Sequence, residues 1–236
     1  MRIKATLLFI FLSNFAFFAF AAAPVTHVVL AEKWMKASCQ YTETQKKSCI
    51  VGTLFPDIRY IAQIERKKTH DTGVTLAELR SEKSAFLCGK KLHSYIDEER
   101  AKFIQSRGLY DILATRFRVP KEHIHSFLKF LEDELLYNKL NTERTCGALL
   151  SIDAEEKASQ VELPILKKWH IVLGLYFMQR PSQTFADLAI LKRGNFGVPA
   201  ELCAHWSILI PLLAKEEFFQ SYSKELVHHF EQLFTK

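Results

Sequence analysis

An apolar pattern of helical period runs from Thr75 to Arg107, and its length indicates a long helix. Thr75, followed three residues later by Glu78, forms a capping box that suits the start of a helix. Gly108 suits its end. The 236-residue chain contains only 8 Gly and 7 Pro, too few for an architecture of strands and tight turns. These features predict an all-α fold.

The same period recurs along the rest of the chain. Gly52 and Pro56 are expected to break regular structure, which places Asp57 at a turn before a short helix. Thr26 is a suitable N-cap for the first helix, and Pro120 is a suitable residue for the start of a later helix. We expect loops at 67–73 and 142–160, and helices at 27–37, from Pro120 to about 140, and at 162–178, 182–191, 199–213 and 216–234. No repeat or linker interrupts the chain, so a single multi-helix domain is predicted over 22–236.

The first 21 residues have the features of a signal peptide. Arg2 and Lys4 form a basic start, an apolar run follows, and Ala19-Phe20-Ala21 is an A-x-A cleavage site. Cleavage there would leave Ala22 as the mature N-terminus. The sequence therefore predicts an exported protein, periplasmic or secreted, with an uncleaved membrane anchor as the alternative.

Cysteine usage is consistent with export, because disulfides form in oxidising compartments. The five cysteines all lie beyond the predicted cleavage site, and their odd number leaves at least one outside any intrachain bridge. Cys39 and Cys49 flank a polar stretch and are the favoured bridge. Cys88, in an apolar helical context, is expected to be a buried thiol. The absence of C-x-x-C spacing argues against a zinc ribbon.

The long helical pattern carries His93 and Asp97, whose spacing of four places both side chains on one helix face. An imidazole and a carboxylate in that arrangement can grip a divalent metal, although a surface pair or a helix hydrogen bond explains the spacing equally simply. Three further polar residues lie in or beside apolar motifs. They are His27 in the first helix, Asp57 after Phe55-Pro56, and His70 in a predicted loop. Each also has an ordinary interpretation without a metal: His27 as a residue of the first helical turn, Asp57 as a helix cap, and His70 as a loop residue.

Taken in order, these motifs resemble a known family. The segments are His27-Val-Val-Leu-Ala-Glu, Gly52-Thr-Leu-Phe-Pro-Asp57-Ile-Arg-Tyr, Lys68-Thr-His70 and Leu92-His93-Ser-Tyr-Ile-Asp97. Together they resemble the bacterial zinc-dependent phospholipase C family and the single-strand-specific nucleases that share its all-helical fold. The resemblance covers about 24–140, and no motif continues it beyond that point.

The resemblance implies a cleft lined by up to three zinc ions. It implies one complete ligand set, formed by Asp57, His70, His93 and Asp97. It also implies that His27 binds a second ion, sharing Asp97 with the first and joined by the mature N-terminal amine of Ala22. Because these roles are carried over position by position, they depend on the resemblance.

The chain departs from the family pattern at two points. The predicted mature chain begins with Ala22, where the family usually begins with Trp. The third zinc of the family needs a later H-x-x-x-E or H-x-x-x-D, and neither His123 nor His125 has an acid four residues on. His123 and Glu134 can share a helix face and are weaker candidates for that ion. The expectation is therefore one to three zinc ions, and a missing ion would fit a changed substrate or lost catalysis.

The function implied by the resemblance is zinc-dependent hydrolysis of a phospholipid phosphodiester by a metal-activated water, with possible peripheral membrane contact. Asp57 is the candidate catalytic residue, orienting or deprotonating that water. The formal net charge of +6 suits an anionic substrate or surface. The cations nearest in sequence, equally interpretable as solvated charges, are Arg59, Lys67, Lys68 and Lys91.

Two other functions fit the same residues. One is a nuclease or small-phosphodiester hydrolase, although we find no basic groove with stacking aromatics that would favour nucleic acid. The other is a non-catalytic exported helical protein that retains metal. The sequence leaves the oligomeric state open, and the histidines outside the resembling region are interpreted as structural. These are His170, His205, His228 and His229.

Overall fold

A computed structural model of the chain describes residues 24–38, 40–191 and 199–236. The predicted signal peptide at 1–21 and the predicted mature N-terminus, Ala22, lie outside the described residues. Cys39 lies outside them too, and with it the predicted bridge to Cys49.

The described residues contain helices and connecting turns and no β-strand, which confirms the all-α prediction. Their buried apolar side chains form one continuous hydrophobic core, as expected of a single domain. No helix among them is long and apolar enough to cross a bilayer. The α-helices are α1 (Pro24–Ser38), α2 (Glu43–Leu54), α3 (Arg59–Ala62), α4 (Arg66–Thr69), α5 (Leu76–Ser81), α6 (Ala85–Ser106), α7 (Leu109–Arg116), α8 (Ile124–Leu136), α9 (Thr142–Ala148), α10 (Ala154–Ala158), α11 (Leu163–Phe177), α12 (Pro181–Ile190), α13 (Ala200–Leu213) and α14 (Glu217–Thr235), with short 3-10 helices at Phe55–Ile58, Lys121–His123 and Tyr137–Lys139.

The long helix predicted from Thr75 is in fact two helices. Thr75 begins α5 with the expected capping box, but the chain leaves helical geometry at Glu82 and starts again at α6. Ser84 caps this second start, because its hydroxyl accepts a hydrogen bond from the Leu87 N–H at 3.0 Å. Gly108, expected to end the helix, lies just beyond it with φ of +59° and is the N-cap residue of α7.

Gly52 does not break regular structure as predicted, because α2 continues through it. Glycine is needed at position 52 because another backbone passes too close for a side chain to fit. A Cβ atom added at Gly52 would lie 2.0 Å from the Phe86 carbonyl oxygen, and one at Gly89 would lie 2.1 Å from the Cys49 carbonyl oxygen. The backbones of α2 and α6 therefore cross in direct contact, which fixes the position of α6 against the end of α2.

The segment 142–160, predicted as a loop, contains the short helices α9 and α10. Both are started by side-chain caps. The Asn141 side chain accepts a hydrogen bond from the Arg144 N–H, and Asp153 forms a capping box with Glu156. These caps stabilise helices of only seven and five residues, which are too short to show an apolar period.

Helix α8 lies at the centre of the core and buries three consecutive acids, Glu132, Asp133 and Glu134, which we call the carboxylate triplet. Glu132 accepts hydrogen bonds from Arg100 on α6 and Tyr222 on α14. The other two acids bind α1, α11 and the start of α12. Their donors are the N–H groups of Val25 and Thr26, the hydroxyls of Thr26 and Tyr176, Arg180 and the Ser182 N–H.

The carboxylate triplet explains why Thr26 is not the N-cap predicted for α1. Helix α1 already includes Pro24, so Thr26 lies within its first turn. Asp133 instead accepts two N–H groups that a helix start leaves without an intrahelical partner. A carboxylate from α8 thus replaces a local cap and fixes the start of the helix that carries His27.

Candidate metal centre

His93 lies on α6 where this helix crosses α2, and its ring is 1% exposed. Its Nδ1 atom lies 2.8 Å from the Thr53 carbonyl oxygen near the end of α2. Since a carbonyl oxygen only accepts hydrogen bonds, Nδ1 carries the proton of the neutral ring. The Nε2 atom of His93 therefore presents a lone pair to the interior.

His70 follows the single turn of α4 and faces His93. The Thr69 hydroxyl oxygen lies 2.9 Å from His70 Nδ1 and 3.3 Å from the Arg66 carbonyl oxygen. The hydroxyl can donate to that carbonyl and accept from Nδ1–H, which leaves a second lone pair on His70 Nε2. The Nε2 atoms of His70 and His93 are 3.2 Å apart. In these tautomers no proton lies between them, and a cation bound by both nitrogens would make the contact favourable.

Two carboxylates complete this arrangement. Asp57, in the 3-10 helix after α2, places one oxygen 3.8 Å from His70 Nε2 and the other 4.0 Å from His93 Nε2. Asp97, one turn beyond His93, places Oδ2 3.7 Å from His93 Nε2 and 3.9 Å from His70 Nε2. A tetrahedral zinc about 2.1 Å from each ligand atom keeps those atoms about 3.4 Å apart. The separation of the two nitrogens, 3.2 Å, is slightly shorter than that value, and the nitrogen–oxygen separations, up to 4.0 Å, are somewhat longer.

His27 approaches from α1. Its ring stacks on His93 with centroids 4.1 Å apart and planes at 18°, and its Nε2 lies 3.5 Å from Asp97 Oδ1. Among the described residues, ligand atoms within 4.8 Å of one another form two groups, His27–His93–Asp97 and Asp57–His70–His93. We call the five residues of these groups the His/Asp cluster. The structure thus brings these five side chains together, while their role as metal ligands stays a prediction.

The two groups share His93, and this restricts how they can be filled. His93 offers one nitrogen, because the other is bonded to Thr53, and one nitrogen binds one ion. An ion held by Asp57, His70 and His93 could take Asp97 Oδ2 as a fourth ligand. Asp97 Oδ1 would then remain directed at His27 for a second ion. The donor set of imidazoles and carboxylates suits zinc.

Burial keeps two imidazoles of the cluster, those of His70 and His93, in the neutral form that binds metal. Desolvation, reinforced by the positive charge of Arg66, lowers the pKa of His70 to about 3. Desolvation also holds the pKa of His93 well below its ordinary value. Burial is the largest influence on the pKa of Asp97 and acts to raise it, but the hydrogen bond with His27 and the neighbouring charges together hold the pKa well below the ordinary value. The site is therefore prepared for a cation at neutral pH.

The cation nearest Asp97 is Arg66, which the sequence analysis did not identify. Its guanidinium donates to Asp97 Oδ2 at 2.8 Å, and its side chain is 51% exposed. Arg66 lies four residues before His70, so the helical spacing of the pair was the available signal. Two of the predicted cations bind acids elsewhere, Lys67 with Glu65 and Lys91 with Glu82. Arg59 donates to the hydroxyl of the neighbouring Tyr60.

The weaker third-site candidates, His123 and Glu134, belong to neither group of converging ligand atoms in the described part of the chain. Glu134 accepts hydrogen bonds from Arg180 and the Ser182 N–H. The His123 ring packs against Trp206, with centroids 6.3 Å apart. The described residues therefore support one or two ions in the His/Asp cluster.

Comparisons of the chain with protein-family models, with curated proteins and with solved structures found no match. The resemblance to zinc-dependent phospholipases C, seen in the motifs around His27, Asp57, His70 and His93, stays a prediction.

Proposed function

We propose that this protein is a zinc-dependent phosphodiester hydrolase with a phospholipase C-like activity. The contact between His70 Nε2 and His93 Nε2, two ring nitrogens 3.2 Å apart whose partner nitrogens are both engaged, carries this proposal. Two carboxylates lie within 4.0 Å of these nitrogens. Such a buried set of acceptors favours a divalent cation, and hydrolysis is the chemistry that a zinc centre of nitrogen and oxygen ligands commonly supports.

Each residue has a role in this proposal. When bound, zinc lowers the pKa of a water to about 7 and polarises a phosphoryl oxygen. Asp57 orients the attacking water or accepts its proton, since one carboxylate oxygen can remain available while the other binds. Arg66, half exposed beside Asp97, supplies a positive charge where negative charge develops on the phosphoryl group.

Phospholipid is the proposed substrate class. Large apolar side chains are exposed just after α11 and on α12 and α13, which supports peripheral contact with a lipid surface. Among them Met178 is 71% exposed, Ile190 78% and Ile208 65%. A nuclease or small-phosphodiester activity requires only the metal centre, so the substrate comparison below separates the two.

Metal content of the exported, untagged protein tests the proposal first. We expect one or two zinc ions per chain, lost in H93A/D97A. The matched control is E201A/H205A, an exposed acid and histidine that are also four residues apart on one helix. It should retain wild-type zinc. A wild-type chain that takes up no zinc when zinc is supplied would contradict the metal centre.

Activity is tested separately on the zinc-loaded protein. Phosphatidylcholine vesicles, bis(4-nitrophenyl) phosphate and a single-stranded oligonucleotide represent the three substrate classes. We expect hydrolysis of the vesicles and of bis(4-nitrophenyl) phosphate, abolished by H93A/D97A and by D57N. Zinc retained without any hydrolysis would instead identify a non-catalytic metal protein.

A further inference from the structure

A surface cavity of about 610 Å³ lies where α1, the start of α2, the 3-10 helix Tyr137–Lys139 and α9 meet. This volume is typical of small-molecule sites. None of its lining residues belongs to the His/Asp cluster. The residues that line it are Val29, Glu32, Lys33, Met35, Lys36, Gln40, Tyr41, Lys46, Lys139 and Arg144.

The charge of this cavity is strongly unbalanced. Five of its lining residues are cations, contributed by four separate segments, and one is an acid. The neighbouring acids are already engaged: Glu32 with Arg144, and Glu43 with Arg144 and Lys46. The ammonium group of Lys33 binds Glu231 at 2.6 Å. The carboxylates around the cavity therefore neutralise three of its five cations.

Lys36 and Lys139 are the other two. Neither forms an ion pair within the described part of the chain, although they line the same cavity from α1 and from the 3-10 helix. Desolvation and the positive charges of Lys33 and Lys224 lower the pKa of Lys139, and they outweigh the opposing charge of Glu231, whose carboxylate is bound to Lys33. Positive charges that repel one another around a concave site favour an anion.

Apolar and aromatic residues in the wall of the cavity restrict the kind of anion that would fit it. Val29 and Met35 are buried beneath it, and the half-buried side chain of Tyr41 lines one side. We infer that this cavity is a binding site for a small organic phosphate, whose phosphate binds Lys36 and Lys139 while its apolar or aromatic part packs on this wall. Two unpaired ammonium groups match the dianionic phosphate of a monoester, and the wall favours an organic group over a bare ion.

The inference is tested by calorimetry with phenyl phosphate on the full chain in EDTA. Chelation excludes phosphate binding at a metal centre, so the result does not depend on the proposed function. We expect one site per chain, with affinity about tenfold or more lower in K36Q/K139Q because two charge-assisted hydrogen bonds are lost. The matched control is K121Q/K167Q, two exposed lysines outside the cavity, which should bind as the wild type does.

A comparison with inorganic phosphate tests the apolar wall. Tighter binding of phenyl phosphate than of inorganic phosphate supports the proposed organic ligand, and equal binding contradicts it. Equal weakening in K36Q/K139Q and K121Q/K167Q would show only a general charge effect and would overturn the site, as would the absence of phenyl phosphate binding. Thermal unfolding of each variant in the absence of ligand confirms that these exposed substitutions leave the fold intact.

Discussion

Two groups of polar residues in the interior of this molecule, the carboxylate triplet and the His/Asp cluster, both contain carboxylates and differ in what those carboxylates face. In the carboxylate triplet, the acids of α8 face donors: guanidinium groups, hydroxyls and backbone N–H groups. In the His/Asp cluster, ring nitrogens with lone pairs face one another and face carboxylate oxygens. Protein donors therefore balance the acids of the triplet, whereas the lone pairs of the cluster face other acceptors, as they would around the cation that we propose.

This difference gives a criterion for assigning buried polar residues. A buried acid surrounded by donors holds helices together, and its partners satisfy its charge. Buried acceptors that lie within a few ångströms of one another, as in the cluster, lack the positive charge that would make their burial favourable. His170 shows that the residue type alone does not decide: its Nδ1 and Nε2 face the Leu149 carbonyl and Glu156, at 3.0 and 2.8 Å.

The largest effect should come from breaking the triplet. E132A leaves the buried guanidinium of Arg100 without its carboxylate partner and should lower the free energy of unfolding by about 3–5 kcal/mol. Urea denaturation measures the change. E122A, at an exposed acid just before α8, is the control and should change stability little. Equal losses in the two variants would show that the Arg100–Glu132 pair does not hold α6 to α8.

The pH dependence of stability tests the second acid of the triplet. Burial raises the pKa of Asp133 to about 6, although its hydrogen bonds from Thr26, Tyr176 and Val25 act to lower it. Between pH 4 and 6 the folded chain then retains a proton that the unfolded chain releases. The stability from this group is therefore fully present below about pH 4 and lost as pH rises to 6, by roughly 3 kcal/mol.

D133N isolates this contribution, because asparagine does not titrate. The free energy of unfolding is measured in EDTA for both proteins. From pH 4 to pH 6, the wild type should lose roughly 3 kcal/mol of stability relative to D133N. A difference that stays constant across the window would show that hydrogen bonding keeps Asp133 ionised throughout.

The sequence predicted the His/Asp cluster better than it predicted the triplet. The spacing of His93 and Asp97 is a property of one helix, and the surrounding motifs placed His27, Asp57 and His70 with them. The partners of Glu132 and Asp133 come from α1, α6, α11 and α14, so no local pattern marks these acids as buried. The close crossing at Gly52 was missed for the same reason, because a glycine that permits contact resembles a helix breaker in sequence.

Substitution of His93 and substitution of His170 should have different effects on zinc affinity, because only His93 is a proposed metal ligand. A zinc site of this kind binds with about 10 kcal/mol or more in total, so removing one of four or five ligands should weaken zinc binding by about two orders of magnitude in H93A. Competition with a chromophoric chelator measures this affinity. H170A removes a histidine whose two nitrogens already have protein partners, and it should leave zinc affinity unchanged while lowering stability. Loss of zinc affinity in H170A would remove the distinction between the two histidines.

The smallest effect should come from the hydroxyl that fixes the tautomer of His70. Thr69 accepts from His70 Nδ1–H at 2.9 Å, and without it that nitrogen loses the partner that directs the Nε2 lone pair into the cluster. T69V keeps the shape of the side chain and should weaken zinc binding about tenfold, the cost typical of losing such an outer partner of a ligand. T69S restores the hydroxyl and should restore the affinity, which a purely steric role of Thr69 would not predict. Unchanged affinity in T69V would mean that His70 binds zinc without this hydrogen bond, so that only the lone pair of His93 would be fixed by a protein partner.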